Sequence, residues 1–357
     1  MDAYRKKYSG KVTWQSPSNI ALVKYWGKKA GQIPANASLS MTLNRAVTET
    51  SMEFGDKFNT SEEIDLEFWF DNGKNPAFEQ KIYSYLHSLL PQIPMLAQLQ
   101  LVIRSRNTFP HSAGIASSAS SMSALGLCLV SFMELIGGKR LAPSALLREA
   151  SRLSRLASGS ACRSVYGGFT VWGKHPQVPG SSDEYAIELP FKLEETFEDL
   201  RDAILVVSHK EKPVSSRAGH SLMNEHPFAS QRYEKANNNV TDLIRAMREG
   251  DLERFVEITE SEALMLHALM MTSSPSFLLI EPDTISIIKA TRRFRKDTGI
   301  PICFTLDAGP NVHLLYPGRD SSRVKEWIET EIKKYCHDGI WIDDGIGQGP
   351  QMIESEV

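Results

Sequence analysis

The chain has 357 residues, 41% of them hydrophobic, with 40 basic and 43 acidic side chains and a formal net charge of −3. That length and apolar content suit one large domain or two closely packed ones and exclude wholesale disorder. The charge balance gives no global attraction to nucleic acid or an anionic membrane, so local groups must hold any anionic ligand.

Cys128, Cys162, Cys303 and Cys336 lie far apart and form no C-x-x-C pair, which fits a reducing compartment better than a disulfide framework. The N-terminus, MDAYRKKYSGKVTW, is polar and lacks an apolar signal core. The most apolar stretch, ALGLCLVSFMELIGG (124–138), falls short of the ~20 residues of a bilayer span and carries Glu134. These features predict a soluble cytoplasmic protein with no membrane or nucleic-acid partner.

In chain order, alternation predicts strands at 12–15, 38–44, 46–54 and 64–70. A helix follows at 78–90 and a strand at 99–105. The helix from about 115 to 136 is apolar nearly all round and should be buried, with Gly137 and Gly138 ending it. Pro143 opens a second helix over 143–158. Strands are expected at 167–172 and 203–208. Beyond about residue 213 the texture turns helical, with long amphipathic helices at 227–249, 251–271 and 282–297. A hairpin pair at 302–309 and 312–317, a charged helix at 320–335 and a last strand near 340–343 complete the chain. The polar stretch 190–200 marks the expected boundary between segments 1–195 and 196–357.

SAGIASSAS (112–120) places small hydroxylated residues at a helix start. A helix N-terminus offers free backbone N–H groups and the positive end of the dipole, so a phosphate can approach closely there. Gly114 permits the turn, and Ser117, Ser118 and Ser120 supply hydroxyls. Tight helix packing explains the same residues, and neither a Walker A nor a G-x-G-x-x-G pattern is present. SPSNIALVKYWGKK (16–29) sets Lys24 and Lys28 around Tyr25 and Trp26; the alternative is a strand with snorkelling lysines. In SGSACRSVYGG (158–168), Arg163 sits among small polar residues, where its planar fork suits a carboxylate or phosphate. The preceding Arg148, Arg152 and Arg155 read as a solvated helix face. TLDAGPNVHLL (305–315) puts Asp307 at a strand end before a Gly-Pro turn, either as a turn former or as a carboxylate fixed in a cleft. The histidines show no metal-ligand spacing, and no zinc or iron pattern is present.

In order and approximate spacing, SPSNIALVKYWGKK, NTFPHSAGIASSAS, SGSACRSVYGGF and FTLDAGPN resemble the signatures of the diphosphomevalonate decarboxylase family, within the GHMP kinase superfamily. KPVSSRAG (212–219) and LHALMMTSSPSF (266–277) also look similar. The resemblance runs from about residue 12 to 316. It implies an α+β, two-part GHMP kinase fold with a deep cleft between the halves and a left-handed β-α-β crossover in the first. It implies a reaction in which ATP and Mg2+ phosphorylate the tertiary hydroxyl of mevalonate 5-diphosphate; phosphate and carbon dioxide then leave and isopentenyl diphosphate remains.

The same resemblance carries residue roles. Asp307 matches the aspartate that accepts or orients the hydroxyl proton, Lys24 the lysine beside it, and Arg163 the arginine holding the substrate carboxylate. Ser158 and Ser160 match serines that contact the substrate. Tyr25 and Lys28 match positions near its diphosphate, as do Ser216 and Arg217. Gly114, Ser117 and Ser118 match the phosphate loop, with Ser118 directed at the nucleotide phosphates and Mg2+. Homodimers are common in the family, though no stretch here specifies one. His220 departs from the methionine common in relatives, and both a change near the substrate's tail and a surface position fit it. LMLHALMM (264–271) reads as core packing, and DDGIGQGP (343–350) receives no role. A monophosphate-specific decarboxylase and a catalytically inactive ligand sensor are the alternatives.

Overall fold

The computed structural model describes residues 8–57, 61–109, 117–210 and 216–356. Two antiparallel-rich sheets carry the architecture. The first begins with β1 (Gly10–Val23), whose residues are almost all buried beyond Val12 because both faces are covered. A two-rung hairpin follows, β2 (Lys28–Lys29) with β3 (Ile33–Pro34). Next comes β4 (Ser38–Asp56), a single strand where the sequence predicts two. The expected break falls at Asn44 and Arg45, both exposed. There the Asp344 carboxylate accepts the N–H groups of Asn44, Arg45 and Ala46 at 2.8, 2.9 and 2.8 Å, so the strand bends without ending.

β5 (Asp65–Phe70), α1 (Pro76–Ser88) and β6 (Leu99–Asn107) form a β-α-β unit in which β5 and β6 pair in parallel. Asn75 caps α1 by accepting from Phe78 N at 3.1 Å, and Pro76 occupies the first turn, where its missing N–H costs nothing. α2 (Ser117–Gly137) is long and apolar enough to cross a bilayer, but most of it is buried inside the protein, against β1, β4 and α3 (Pro143–Ala157). Each fully buried Leu or Val in it contributes roughly 1.5–3 kcal/mol. β7 (Phe169–Trp172) and β8 (Ala186–Glu188) extend the sheet from β4.

In the second sheet, β9 (Leu200–Leu205) lies centrally. It is followed by α4 (Ser216–Ser221), α5 (Ala229–Glu249), α6 (Leu252–Met271) and α7 (Pro282–Thr298). The hairpin β10 (Cys303–Thr305) with β11 (Val312–Pro317) joins β9, and α8 (Ser321–Trp327) loosens into a π turn before β12 (Trp341–Gly345) closes the order β10-β11-β9-β12. The last strand, β13 (Gln351–Glu356), was not expected from the sequence. It crosses back and pairs with β1 in the first sheet. DDGIGQGP is the connection: Gly347 N donates to Thr42 O and Gly168 N donates to Gly347 O, each at 2.8 Å.

One core cluster joins the two sheets. Ile20, Leu22, Leu39 and Met41 of the first pack with Ile204 of the second and with Val240, Leu243 and Phe255 of the helices. Such interiors leave little slack. Replacing a glycine within an exposed helix gains ~1 kcal/mol, but a Cβ at Gly126 of α2 would lie 2.2 Å from Ser154 Oγ and 3.1 Å from Ala150 O on α3. Gly126→Leu should therefore cost about 1–3 kcal/mol, read as a lowered urea midpoint. An unchanged midpoint would contradict this close helix approach.

Candidate active site

Lys24 follows β1 directly, and its side chain is 2% exposed. Its ammonium donates to Ala21 O at 2.6 Å and to Asp307 Oδ1 at 3.1 Å. Asp307 lies just past β10, on the loop that turns into β11, and its side chain is 31% exposed. The pair thus has a closed lysine side and an open carboxylate side. The loop is fixed at three points. His267 Nε2 of α6 donates to Asp307 O at 3.1 Å, and Thr284 Oγ1 of α7 donates to Pro310 O at 2.7 Å. Asn311 Oδ1 accepts from Val207 N and Ser208 N at 2.7 and 2.9 Å. LMLHALMM is core on one face only: Leu266, His267, Leu269 and Met270 are buried, whereas Leu264 and Ala268 are exposed, and the buried face supplies this histidine.

The electrostatics follow from burial and neighbours. Burial opposes ionisation of Asp307, but Lys24, His313 and Arg163 together outweigh it and hold the carboxyl below its ordinary range. His313 donates Nδ1 to the buried Asp202 at 2.7 Å. Burial lowers the Lys24 pKa, opposed by the charges of Asp307 and Glu262.

Arg163 closes the turn Gly159–Arg163 after α3 and is 4% exposed. Its Nη1 donates to Ser38 Oγ, its Nε has no partner, and among the described residues it makes no ion pair. Tyr25 is also buried, packed between Trp172 (centroids 4.7 Å) and His220 (4.3 Å), and its hydroxyl has no hydrogen-bond partner among the described residues. Burial pushes that phenol up, so it remains a donor. Lys28 Nζ lies 5.7 Å from the Tyr25 ring centre. Ser158 and Ser160 are half-buried, their hydroxyls 3.4 Å apart.

His220 is not a surface residue. It is buried against the Tyr25 and Trp26 rings, and its Nδ1 accepts from Gly27 N at 2.9 Å, which leaves the ring proton on Nε2. Burial, with Lys28 and Arg163 nearby, takes its pKa well below 6.5, so the ring is neutral. Gly27 adopts φ +110°, a conformation side chains rarely allow, and this turns the chain from Trp26 into Lys28.

Ser117 and Ser118 open α2, both half-buried. Gly114 lies outside the described residues, as do the side chains of Ser216 and Arg217, whose backbone begins α4. The hydroxyl expected from Ser120 is used internally: the residue is fully buried, 2.6 Å from Thr48 Oγ1 and donating to Ser117 O. Arg155 is likewise not on a solvated face. It is buried and donates to the carbonyls of Glu184 and Gly31, which ties α3 to the β2–β3 hairpin. Among the described residues, no group of three or more His, Cys, Asp or Glu is arranged to hold a metal ion.

Residues 16–186 match the diphosphomevalonate decarboxylase-like N-terminal domain, and residues 203–341 match the mevalonate 5-diphosphate decarboxylase C-terminal domain. Diphosphomevalonate decarboxylase from Candida albicans is 31% identical over 98% of this chain and 99% of its own. The chain belongs to the diphosphomevalonate decarboxylase family. Its α+β fold is the GHMP type: the mevalonate diphosphate decarboxylase structure from Staphylococcus aureus superposes with a TM-score of 0.82 at 30% identity, covering 97% of this chain and 99% of that one. A complex of MDDEF with MVAPP, AMPPCP and magnesium gives 0.81 at 28% identity, covering 97% and 100%.

Sequence reasoning missed three polar residues around Lys24 in this diphosphomevalonate decarboxylase family member: Arg232, Asn239 and Glu262, all buried. One signal was available. Glu262 shares a helical face with Phe255, Ile258, Leu266 and Leu269, an apolar stripe where a lone carboxylate needs a partner.

The depressed pKa of Asp307 has a consequence for stability. It stabilises the fold above its ordinary value of 3.8, and that contribution is lost as pH falls through the lower native value. Urea titrations from about pH 6 down to pH 2 should show a shallower acid loss in Asp307→Asn than in the parent. Equal slopes would contradict the depressed value.

Proposed function

We propose that the chain catalyses ATP-dependent decarboxylation of mevalonate 5-diphosphate to isopentenyl diphosphate, ADP, phosphate and carbon dioxide. A buried guanidinium that makes no ion pair among the described residues, close enough to the lysine–aspartate pair to act on Asp307 electrostatically, carries this assignment. An uncompensated buried charge is expensive, so a ligand anion is the natural partner of Arg163. The likeness to a complex holding MVAPP, an ATP analogue and magnesium supports the same substrates here.

In this assignment the tertiary hydroxyl meets Asp307, whose open side faces outward and whose low pKa keeps it ionised. Asp307 accepts or orients the hydroxyl proton as the oxygen attacks the γ-phosphorus and the bond to ADP breaks. The Lys24 ammonium stabilises charge on the reacting oxygen. The new phosphate then leaves with its C–O bond pair. The carbon–carbon bond to the carboxylate supplies the electrons of the new double bond, and carbon dioxide departs. Arg163 orients that carboxylate, and such orientation can be worth up to ~7–11 kcal/mol. Ser158 and Ser160 contact the substrate. Tyr25, Lys28, Ser216 and Arg217 hold its diphosphate. Gly114, Ser117 and Ser118 hold the nucleotide phosphates, whose magnesium arrives with ATP.

In this reading the chain divides near 195/196, with Lys24, Arg163 and the phosphate loop in the first part and Asp307 in the second. The two family matches, ending at 186 and starting at 203, support that division. The four cysteines are buried free thiols, in keeping with a cytoplasmic location.

ATP-dependent carbon dioxide release is the direct assay. Asp307→Ala should abolish it while nucleotide binding persists, and unchanged turnover would refute the role of Asp307. Arg163→Gln should lower it by roughly 10²–10³-fold, and near-normal turnover would reject carboxylate binding there. A steady-state preference for mevalonate 5-phosphate would replace the diphosphate as substrate.

A further inference from the structure

The backbone of Lys24 is gripped by a buried ion pair between α5 and α6. The β1–β4 ladder ends at Val23, so the N–H and C=O of Lys24 need other partners. Glu262 of α6 accepts the N–H at 2.8 Å. Arg232 of α5 donates Nη2 to the C=O at 2.9 Å, and Asn36 adds a second donor at 3.0 Å. Arg232 and Glu262 bind each other fork to fork, at 2.7 and 2.6 Å, and Asn239 donates to Glu262 Oε1 at 2.6 Å. The two charged side chains are 2% and 0% exposed.

Stability alone is a poor reason for such a pair, because apolar residues of similar volume often do as well or better. An apolar pair could not, however, satisfy both polar groups of Lys24 at once. A carboxylate can accept from one side of the peptide while a guanidinium donates to the other. The root of Lys24 is thereby fixed, as Ala21 O and Asp307 fix its tip. We propose that Glu262 and Arg232 are positioning residues that hold the Lys24 ammonium in register with Asp307. The inference rests on the assignment of Lys24 and Asp307 to the phosphoryl-transfer step.

A double-mutant cycle on the full chain tests it. Glu262→Gln should lower kcat on the order of 10²-fold, with KM for ATP and for the diphosphate each moving less than about threefold. In a Lys24→Met background the same substitution should change kcat less than about twofold, since it acts through a group already removed. Equal losses in both backgrounds, or a kcat that only follows the thermal midpoint, would overturn the proposal. Should Glu262→Gln not fold, Asn239→Ala deletes a single bond to Glu262. Its loss, on the order of tenfold, should vanish in the same background, and no loss in the parent or equal losses in both would overturn the proposal. If Lys24→Met alone left kcat intact, the role of Lys24 would fail and the clamp's function with it, an outcome distinct from additivity.

Discussion

The contact between the Lys24 ammonium and the Asp307 carboxylate places two demands on the whole chain. The ammonium is closed off from water and the carboxylate is open to it, so the pair can present a negative oxygen to a reactant without releasing the lysine. Coulomb interactions strengthen as the surroundings exclude water. The two residues are far apart in sequence, and each must be delivered by a rigid element. β1 ends one residue before Lys24, and the β10–β11 turn carries Asp307. The shared core of the two sheets, and the return of β13 to β1, keep those deliveries in register.

Three buried arginines show how differently the fold treats the same charge. Arg155 is held by two backbone carbonyls, Arg232 is paired with a full carboxylate, and Arg163 has a single serine hydroxyl. Nε is unpartnered in both Arg232 and Arg163, but the charge of Arg232 meets the Glu262 carboxylate, whereas among the described residues Arg163 makes no ion pair and the buried Tyr25 hydroxyl has no hydrogen-bond partner. A buried polar group without a hydrogen-bond partner calls for an explanation, and a bound ion is one. The neutral His220 spreads against the Tyr25 ring and so fills this region without adding a further positive charge.

Much of this was legible in the sequence, for local reasons. The strands near 64–70 and 99–105, the buried α2, the helices beyond 227 and the turn at Asp307 follow from periodicity and turn chemistry, whereas β1 runs well past the expected 12–15 and the short β2–β3 hairpin was not expected. Other features depended on distant partners. β4 continues through Asn44 and Arg45 because Asp344 accepts their N–H groups, and nothing near residue 44 announces that. β13 alternates weakly and exists because β1 offers it an edge. Arg155 looked solvated because its carbonyl partners lie at Gly31 and Glu184. Lys24, Arg163 and Asp307 could be joined as a set only through the family resemblance of their motifs, and Arg232 and Glu262 gain meaning only once α5 and α6 are seen around Lys24.

The central claim is that one substrate molecule spans Asp307 and Arg163. A crystal structure of the full chain with mevalonate 5-diphosphate and a non-hydrolysable ATP analogue tests it most directly. The account requires the tertiary hydroxyl within hydrogen-bond reach of an Asp307 oxygen while the substrate carboxylate rests on the Arg163 guanidinium. A substrate that engages only one of the two, with the other facing a separate cavity, would contradict it.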